Sequence, residues 1–85
     1  MLKRTVLRLL RSAAMDGLKE ADDLLTHIKE SGLLQAPLKY SGHSDYEVSL
    51  EWGDEIKILY MSQGLTERLQ VTYKGYNFGV TDFVK

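Results

Sequence analysis

Apolar residues recur at helical spacing through the first third of the chain and form one continuous stripe. At 100° per residue they fall on one side of a helix. The stripe consists of Val6, Leu7, Leu10, Ala13, Ala14, Gly17, Leu18, Ala21, Leu24, Leu25 and Ile28. Because its phase is unbroken through Asp16-Gly17, we predict a single helix from about residue 2 to residue 30. The alternative is a pair of helices with Asp16 as the N-cap of the second.

The predicted helix is longer than the strands that follow it. It would extend roughly 43 Å at 1.5 Å per residue, whereas each predicted strand extends roughly 23 Å at 3.3 Å per residue. Part of the stripe would then need a cover other than its own sheet, which indicates a second chain. A helical hairpin would instead bury both halves of the stripe within one chain and would weaken this argument.

Ser31-Gly32 is a typical helix end, with glycine just past the last turn. The connection from residue 31 to residue 44 contains Pro37 and an alternating pair, Leu38 and Tyr40, that could form a short edge strand. After Ser44 the apolar period changes to two, which predicts four strands. Their alternating apolar residues are Tyr46, Val48, Leu50 and Trp52, then Ile56, Ile58 and Tyr60, then Leu69, Val71 and Tyr73, then Tyr76, Phe78 and Val80.

The parity of the apolar positions fixes the turns between these strands. Two-residue turns at Gly64-Leu65 and Lys74-Gly75 keep every apolar side chain on one face. Between the first two strands a three-residue loop, Gly53-Asp54-Glu55, is needed to place Leu50 opposite Ile58. A slip of one residue would send the apolar set to the other face.

These elements predict a single α+β domain over residues 1–85. We expect one long N-terminal helix over about residues 2–30, packed on one face of a four- to five-stranded antiparallel β-meander over about residues 45–84. The composition is ordinary for a globular domain, with 44% hydrophobic residues.

The middle of the stripe contains small residues at four-residue spacing. Ala13, Gly17 and Ala21 would let another backbone approach closely, either that of the sheet or that of a second helix. We therefore predict a helix interface for self-association. Its residues are Val6, Leu10, Ala13, Gly17, Ala21 and Leu24.

Charge is divided unevenly along the chain. Four of the eleven basic residues and no acid lie in the first fifteen residues, and the remainder holds seven bases against twelve acids. Arg4, Arg8 and Arg11 form a basic stripe at helical spacing that could contact an acidic protein or the phosphates of a nucleic acid. Such a segment is also typical of a mitochondrial presequence or an interfacial membrane helix. The stripe that continues in phase and the acids from Asp16 onward disfavour both.

The segment from residue 45 to residue 55 contains five acids and no base. We predict that they form an acidic ridge that could dock on a basic groove of a larger protein, as an inhibitor does. Its residues are Asp45, Glu47, Glu51, Asp54 and Glu55.

Catalytic motifs are absent from the sequence. There is no cysteine, and the two histidines are His27 and His43. Asp23 and His27 are spaced to share a ligand on a helix, yet an exposed pair is the ordinary explanation. We expect no catalytic residues, no metal and no cofactor, and no segment long and apolar enough to span a membrane.

We therefore expect a cytoplasmic, non-enzymatic protein–protein interaction module that self-associates through the N-terminal helix. A homo-oligomer or a protein target is the favoured partner. The alternatives are an inhibitor or regulator that docks through the acidic ridge, and a nucleic-acid binder that uses the N-terminal arginines.

Overall fold

The computed structural model describes residues 2–83 and contains two helices and five strands. In chain order they are α1 (Leu2–Met15), α2 (Lys19–Glu30), β1 (Leu38–His43), β2 (Glu47–Trp52), β3 (Ile56–Gln63), β4 (Thr66–Tyr73) and β5 (Tyr76–Phe83). The strands form one antiparallel sheet in the order β1-β2-β3-β4-β5. Both helices contribute to the core that covers one face of this sheet. The α+β class and the antiparallel meander are therefore confirmed; Val84, the last residue of the expected sheet, lies outside the described residues.

The single helix over residues 2–30 is wrong, because α1 ends at Met15. The amide of Leu18 donates to the carbonyl of Ala13 and that of Gly17 donates to the carbonyl of Ala14, both at 3.0 Å. This pair of hydrogen bonds is the Schellman motif, which needs a left-handed residue just past the helix. Gly17 supplies that conformation with φ of +99°. The chain then reverses, and α2 packs beside α1.

The second helix, α2, has a side-chain cap at its end but none at its start. Its N-cap is Leu18 rather than Asp16, and no side chain caps it. At the other end the backbone and the hydroxyl of Ser31 both donate to the carbonyl of His27, at 2.9 and 2.7 Å. Gly32 follows in the left-handed conformation with φ of +78°, so the predicted helix end at Ser31-Gly32 is confirmed.

The predicted registers of the three hairpins are confirmed. Tyr73 pairs with Tyr76 across Lys74-Gly75, where both turn residues have positive φ, as a type I′ turn requires. In the β2–β3 hairpin Leu50 lies opposite Ile58, and in the β3–β4 hairpin Ile58 lies opposite Val71. All the buried apolar side chains of the sheet consequently share one face.

Leu38 and Tyr40 belong to a fifth strand, β1, so the expected connection over residues 31–44 is shorter than predicted. It contains a 3₁₀ turn, Leu33–Gln35, before the strand begins. The pairing of β1 with β2 shifts between Tyr40 and Gly42, which marks a β-bulge at Ser41.

One core lies between the helical hairpin and the sheet. Each helix, at roughly 18–21 Å, is no longer than the strands beneath it, so the length excess of a single helix disappears. The buried apolar residues are Val6, Leu9, Leu10, Ala13, Ala21, Leu24, Leu25, Ile28, Leu50, Trp52, Ile56, Ile58, Leu69, Val71, Tyr73, Phe78 and Val80.

Candidate interaction surfaces

The predicted helix interface lies inside the chain rather than on its surface. Five of its six residues, Val6, Leu10, Ala13, Ala21 and Leu24, are buried in the core. The sixth, Gly17, is exposed in the turn between the helices, with nothing within 4 Å of the place of a Cβ. Because the hairpin folds both halves of the stripe onto the sheet, these side chains are not accessible to a second chain.

The basic stripe is only partly accessible to a partner. Arg4 and Arg11 are exposed and make no ion pair within the described part of the chain. Arg8, between them, donates from Nη2 to Glu67 Oε1 at 2.6 Å, and its Nη1 lies 3.7 Å from Asp82 Oδ2. A nucleic acid would therefore meet two unpaired guanidinium groups rather than three.

Arg8 belongs to a charge cluster, which we define as Arg8, Tyr60, Glu67 and Asp82. Glu67 is 8% exposed and is the one buried charged residue among those described. Its second carboxylate oxygen accepts a hydrogen bond from the hydroxyl of Tyr60 at 2.6 Å. The cluster ties α1 to three neighbouring strands, and both oxygens of the buried carboxylate have a partner.

Hydrogen bonding and burial shift the pKa values in this cluster. The hydrogen bonds from Tyr60 and Arg8 lower the pKa of Glu67, because they stabilise its charged form more than burial destabilises it. Burial, together with donation to Glu67, raises the pKa of Tyr60. The hydrogen bond to Glu67 raises the pKa of Arg8. Arg8 and Tyr60 are both bonded to Glu67, so the cluster is a structural network that links α1 to the sheet.

Sequence patterning could have identified Glu67 as an acid on the apolar face. It shares parity with Leu69 and Val71 along β4 and lies opposite Ser62 and Asp82 on the neighbouring strands. A carboxylate at such a position requires a basic or hydroxyl partner. Arg8 would have been the expected partner, and its pairing with Glu67 would have left only Arg4 and Arg11 in the basic stripe.

The five acids predicted to form an acidic ridge are spread along β2 and the loops at its two ends, and do not form one compact cluster. Asp45 lies between β1 and β2, whereas Asp54 and Glu55 lie in the loop at the opposite ends of β2 and β3. Glu47 and Glu51 lie on β2 between them, roughly 13 Å apart at 3.3 Å per residue. Nearness in sequence does not become nearness in space when the chain is extended.

Two of these acids also have basic neighbours. Glu51 lies between Lys39 of β1 and Lys57 of β3 in the cross-strand register. Glu55 Oε2 is 3.1 Å from His27 Nε2. At Glu51 the two lysines therefore reduce the negative charge available to a basic partner.

No metal site is formed by the residues that the structure describes. They contain no cluster of three or more metal-ligating side chains. His27, which the sequence pairs with Asp23, is half-buried, and its ring centroid lies 5.0 Å from that of Tyr73. Its environment is that of a packed side chain.

The edge formed by β5 is long and regular. It pairs with β4 from Tyr76 to Phe83 without a register shift, and no described strand lies on its other side. Asp82 is the only charged residue within these bounds, and there is no proline. Bulges, prolines and charged side chains are devices by which proteins prevent an edge strand from pairing, and of these the strand has only Asp82, near its end.

Alternation of the hydrogen bonds determines which β5 backbone groups face outward. The two-residue turn makes Tyr73 and Tyr76 the hydrogen-bonded closing pair. Alternate residues after Tyr76 then bond to β4, and those between them point away from it. Asn77, Gly79 and Thr81 therefore direct their N–H and C=O groups toward the open edge.

The opposite edge, formed by β1, is short and protected. Pro37 precedes the strand, Lys39 lies within it, and the bulge at Ser41 ends its regular part. On the helix-facing side of this edge is an open groove of about 380 Å³. We call it the β1 groove; it is lined by Leu2, Lys3, Arg4, Pro37, Leu38 and Tyr40.

Comparisons with known proteins give no family. No family model matches the sequence, and no match is found among curated proteins or among solved structures. Within residues 2–83 no helix is long and apolar enough to cross a membrane.

Proposed function

We propose that this chain is a non-enzymatic protein–protein interaction module that self-associates by pairing β5 with β5 of a second copy. The observation that carries the proposal is the open edge of β5. Three alternate residues of this strand, Asn77, Gly79 and Thr81, direct their N–H and C=O groups outward. The two sheets would join into one antiparallel sheet related by a twofold axis. This surface replaces the helix stripe that the sequence favoured.

One register of the pair is self-complementary. Gly79 would lie opposite Gly79 of the partner subunit, and Phe78 would lie opposite Val80 of the partner subunit. Asp82 would lie opposite Tyr76 of the partner subunit, so no like charges meet. A shift by two residues toward the strand's end would instead place Asp82 opposite the apolar ring of Phe78 of the partner subunit.

The pairing should be weak and reversible. One pair of strands buries less than the roughly 1,200 Å² of stable complexes, so we expect a dissociation constant of about 10–500 μM. Regulated or transient association is typical of interfaces of this size. The lack of cysteine means that no disulfide is needed for the fold, which is compatible with the cytoplasmic setting proposed for this chain.

The described residues also support the non-enzymatic part of the proposal. The groups with shifted pKa values are Arg8, Tyr60 and Glu67, and they bond to one another. Shifted groups that face a cleft would favour catalysis, whereas these hold α1 to the sheet.

A charge exchange at Gly79 tests both the edge and its register. Gly79→Lys and Gly79→Asp each place like charges opposite each other at the twofold axis, so each variant should be monomeric by sedimentation equilibrium. An equimolar mixture should form a mixed dimer, because the opposed charges then attract. A Cβ at Gly79 would lie 3.3 Å from Oε1 of the flexible Gln70 side chain, and the φ of Gly79 is not positive, so both variants should fold.

Thr72→Lys is the matched control, because Thr72 is exposed on β4, which has a neighbour on each side. It should associate as the unaltered chain does. A chain that stays monomeric at about 5 mM, tenfold above the upper limit of the expected dissociation constant, would contradict the proposal. So would a Gly79→Lys variant that associates normally.

A further inference from the structure

The β1 groove lies where the helical hairpin leaves the sheet uncovered. Tyr40 is on the helix-facing side of β1, yet it is 63% exposed. Leu2 and Leu38 are half-buried beside it, and Pro37 contributes a rigid wall. An aliphatic or small aromatic side chain would bury apolar surface here without displacing any core residue.

The charge around the β1 groove is positive and uncompensated. Lys3 Nζ donates to the carbonyls of Leu34 and Ala36, the second at 2.8 Å, and it lies 5.7 Å from the centroid of the Trp52 ring. These partners are neutral, so the ammonium charge is not balanced by a carboxylate. Arg4 is exposed and has no ion pair among residues 2–83. None of the lining residues is acidic.

The outer edge of β1 is available for pairing over a short length. The same hydrogen-bond alternation that fixes the other strands leaves Leu38 and Tyr40 with outward N–H and C=O groups. The bulge at Ser41 stops the pairing beyond Tyr40. A partner strand could add here over only a few residues, so side chains in the groove would supply most of the binding.

We propose that the β1 groove binds an extended segment of another protein that has an apolar residue with an acidic residue two positions away. In an extended chain, residues two apart lie on the same face. The apolar side chain would enter the groove beside Tyr40, and the carboxylate would pair with Arg4 or Lys3. This inference concerns a different surface from β5 and does not depend on self-association.

A fluorescein-labelled peptide with blocked ends, Thr-Glu-Thr-Leu-Thr-Glu-Thr, is a suitable probe, because its leucine has an acid two residues away in either direction. Fluorescence polarisation should show saturable binding that weakens as salt is added. Replacing the leucine by serine, or both glutamates by lysine, should abolish measurable binding. Amide and side-chain NMR shifts on addition of the probe should concentrate at Leu2, Leu38 and Tyr40.

Two variants of the chain have matched controls. Arg4→Glu should weaken binding about fivefold, as expected for reversal of an exposed charge contact, whereas Arg11→Glu on the same helix should change it less than about twofold. Tyr40→Ser should weaken binding by a similar factor to Arg4→Glu, whereas Tyr46→Ser, at another exposed tyrosine, should not. All four residues are exposed, so the fold should be retained.

Three results would overturn the inference. The first is no saturable binding of the probe by the unaltered chain. The second is equal weakening by Arg4→Glu and Arg11→Glu, which would indicate attraction to net charge alone. The third is a set of NMR shifts confined to β5, which would place the probe on the self-association edge and leave the groove unoccupied.

Discussion

The two edges of the sheet differ in length, in regularity and in the residues that hinder strand pairing. β1 follows a proline, contains a lysine and is interrupted by a bulge, whereas β5 is regular over its whole length and has one acid near its end. Natural sheets protect edges that must stay solvent-exposed. This difference is the basis for the proposal that β5 pairs with a second strand, whereas β1 can pair only over a short length.

The two sides also differ in how they are fastened to the helices. Near β1, Lys3 bonds to carbonyls after α2, and the indole of Trp52 donates to the carbonyl of Leu33 at 2.8 Å. Near β5, the fastening is the charge cluster around Glu67. The β1 side is therefore held by burial and by hydrogen bonds to uncharged carbonyls, and the β5 side is held in part by an ion pair. The stability contributed by the β1 side and that contributed by the β5 side should therefore respond differently to mutation and to pH.

The largest effect is expected at Trp52, which fastens the β1 side. It is 0% exposed, and Trp52→Ala should cost about 3–5 kcal/mol through the cavity it leaves. Urea unfolding followed by circular dichroism measures this loss. An unfolding free energy lowered by less than about 1 kcal/mol would contradict the packing described for this side, given the usual range for buried aromatic residues.

A smaller loss is expected from Glu67→Gln on the β5 side. The glutamine keeps an acceptor but loses the ionic partner of Arg8, so the free energy of unfolding should fall by about 1–3 kcal/mol. The same urea titration measures it, with Glu47→Gln on the exposed outer face as the control. Equal effects of the two substitutions would show that burial of Glu67 has no energetic consequence.

The cluster also predicts how stability depends on pH. The pKa of Glu67 is lower in the folded than in the unfolded chain, where it is about 4.3, so its stabilisation is complete above that value and is lost as pH falls through the folded pKa. The pKa of Tyr60 is raised, so its contribution is present below about pH 10 and is lost as pH rises through the folded pKa. Glu67→Gln should flatten the acid limb of a plot of unfolding free energy against pH. An unchanged acid limb would contradict the assignment.

Proline substitutions compare the edges directly. Thr81→Pro removes an outward N–H of β5 without removing a bond to β4, so it should weaken self-association at least about tenfold, equivalent to 1.4 kcal/mol. Tyr40→Pro removes an outward N–H of β1 and should leave self-association unchanged. Sedimentation equilibrium measures the dissociation constant of each variant. Equal weakening by the two substitutions would contradict the proposal that β5, and not β1, is the self-association edge.

The smallest effect is expected at Gly17, which belongs to neither edge. In the helix interface that the sequence predicts around Gly17, the substitution Gly17→Leu would disrupt association. With φ of +99° and open space around the residue, it should cost only about 1–2 kcal/mol of conformational strain. Self-association of the folded variant should be unaltered. A variant that stays folded but no longer dimerises would indicate that the interface involves the helices instead of β5.

The sheet could be predicted closely from the sequence, because parity is a strict constraint. Leu50, Ile58 and Val71 can share a face only with the observed loop lengths, so the hairpin registers followed from counting residues. The sequence predicts β1 less clearly, because its apolar alternation covers only Leu38 and Tyr40 before the bulge.

The helix break could not be predicted from phase. A straight helix and a hairpin with both arms on one sheet face can present the same apolar positions. The signals that distinguished them were Gly17 after Asp16, and a length that no strand could match. The acidic ridge is a prediction from nearness in sequence, and an extended strand spreads such residues along its length.

Amide hydrogen exchange of the outward-facing β5 residues tests the central claim most directly. As the chain passes from mostly monomer to nine-tenths dimer, exchange at Asn77, Gly79 and Thr81 should slow roughly tenfold, while Leu38 and Tyr40 of β1 should not change. Alternate β5 residues such as Phe78, already bonded to β4, serve as the internal reference. Exchange at Asn77, Gly79 and Thr81 that stays fast at every concentration would contradict self-association through β5.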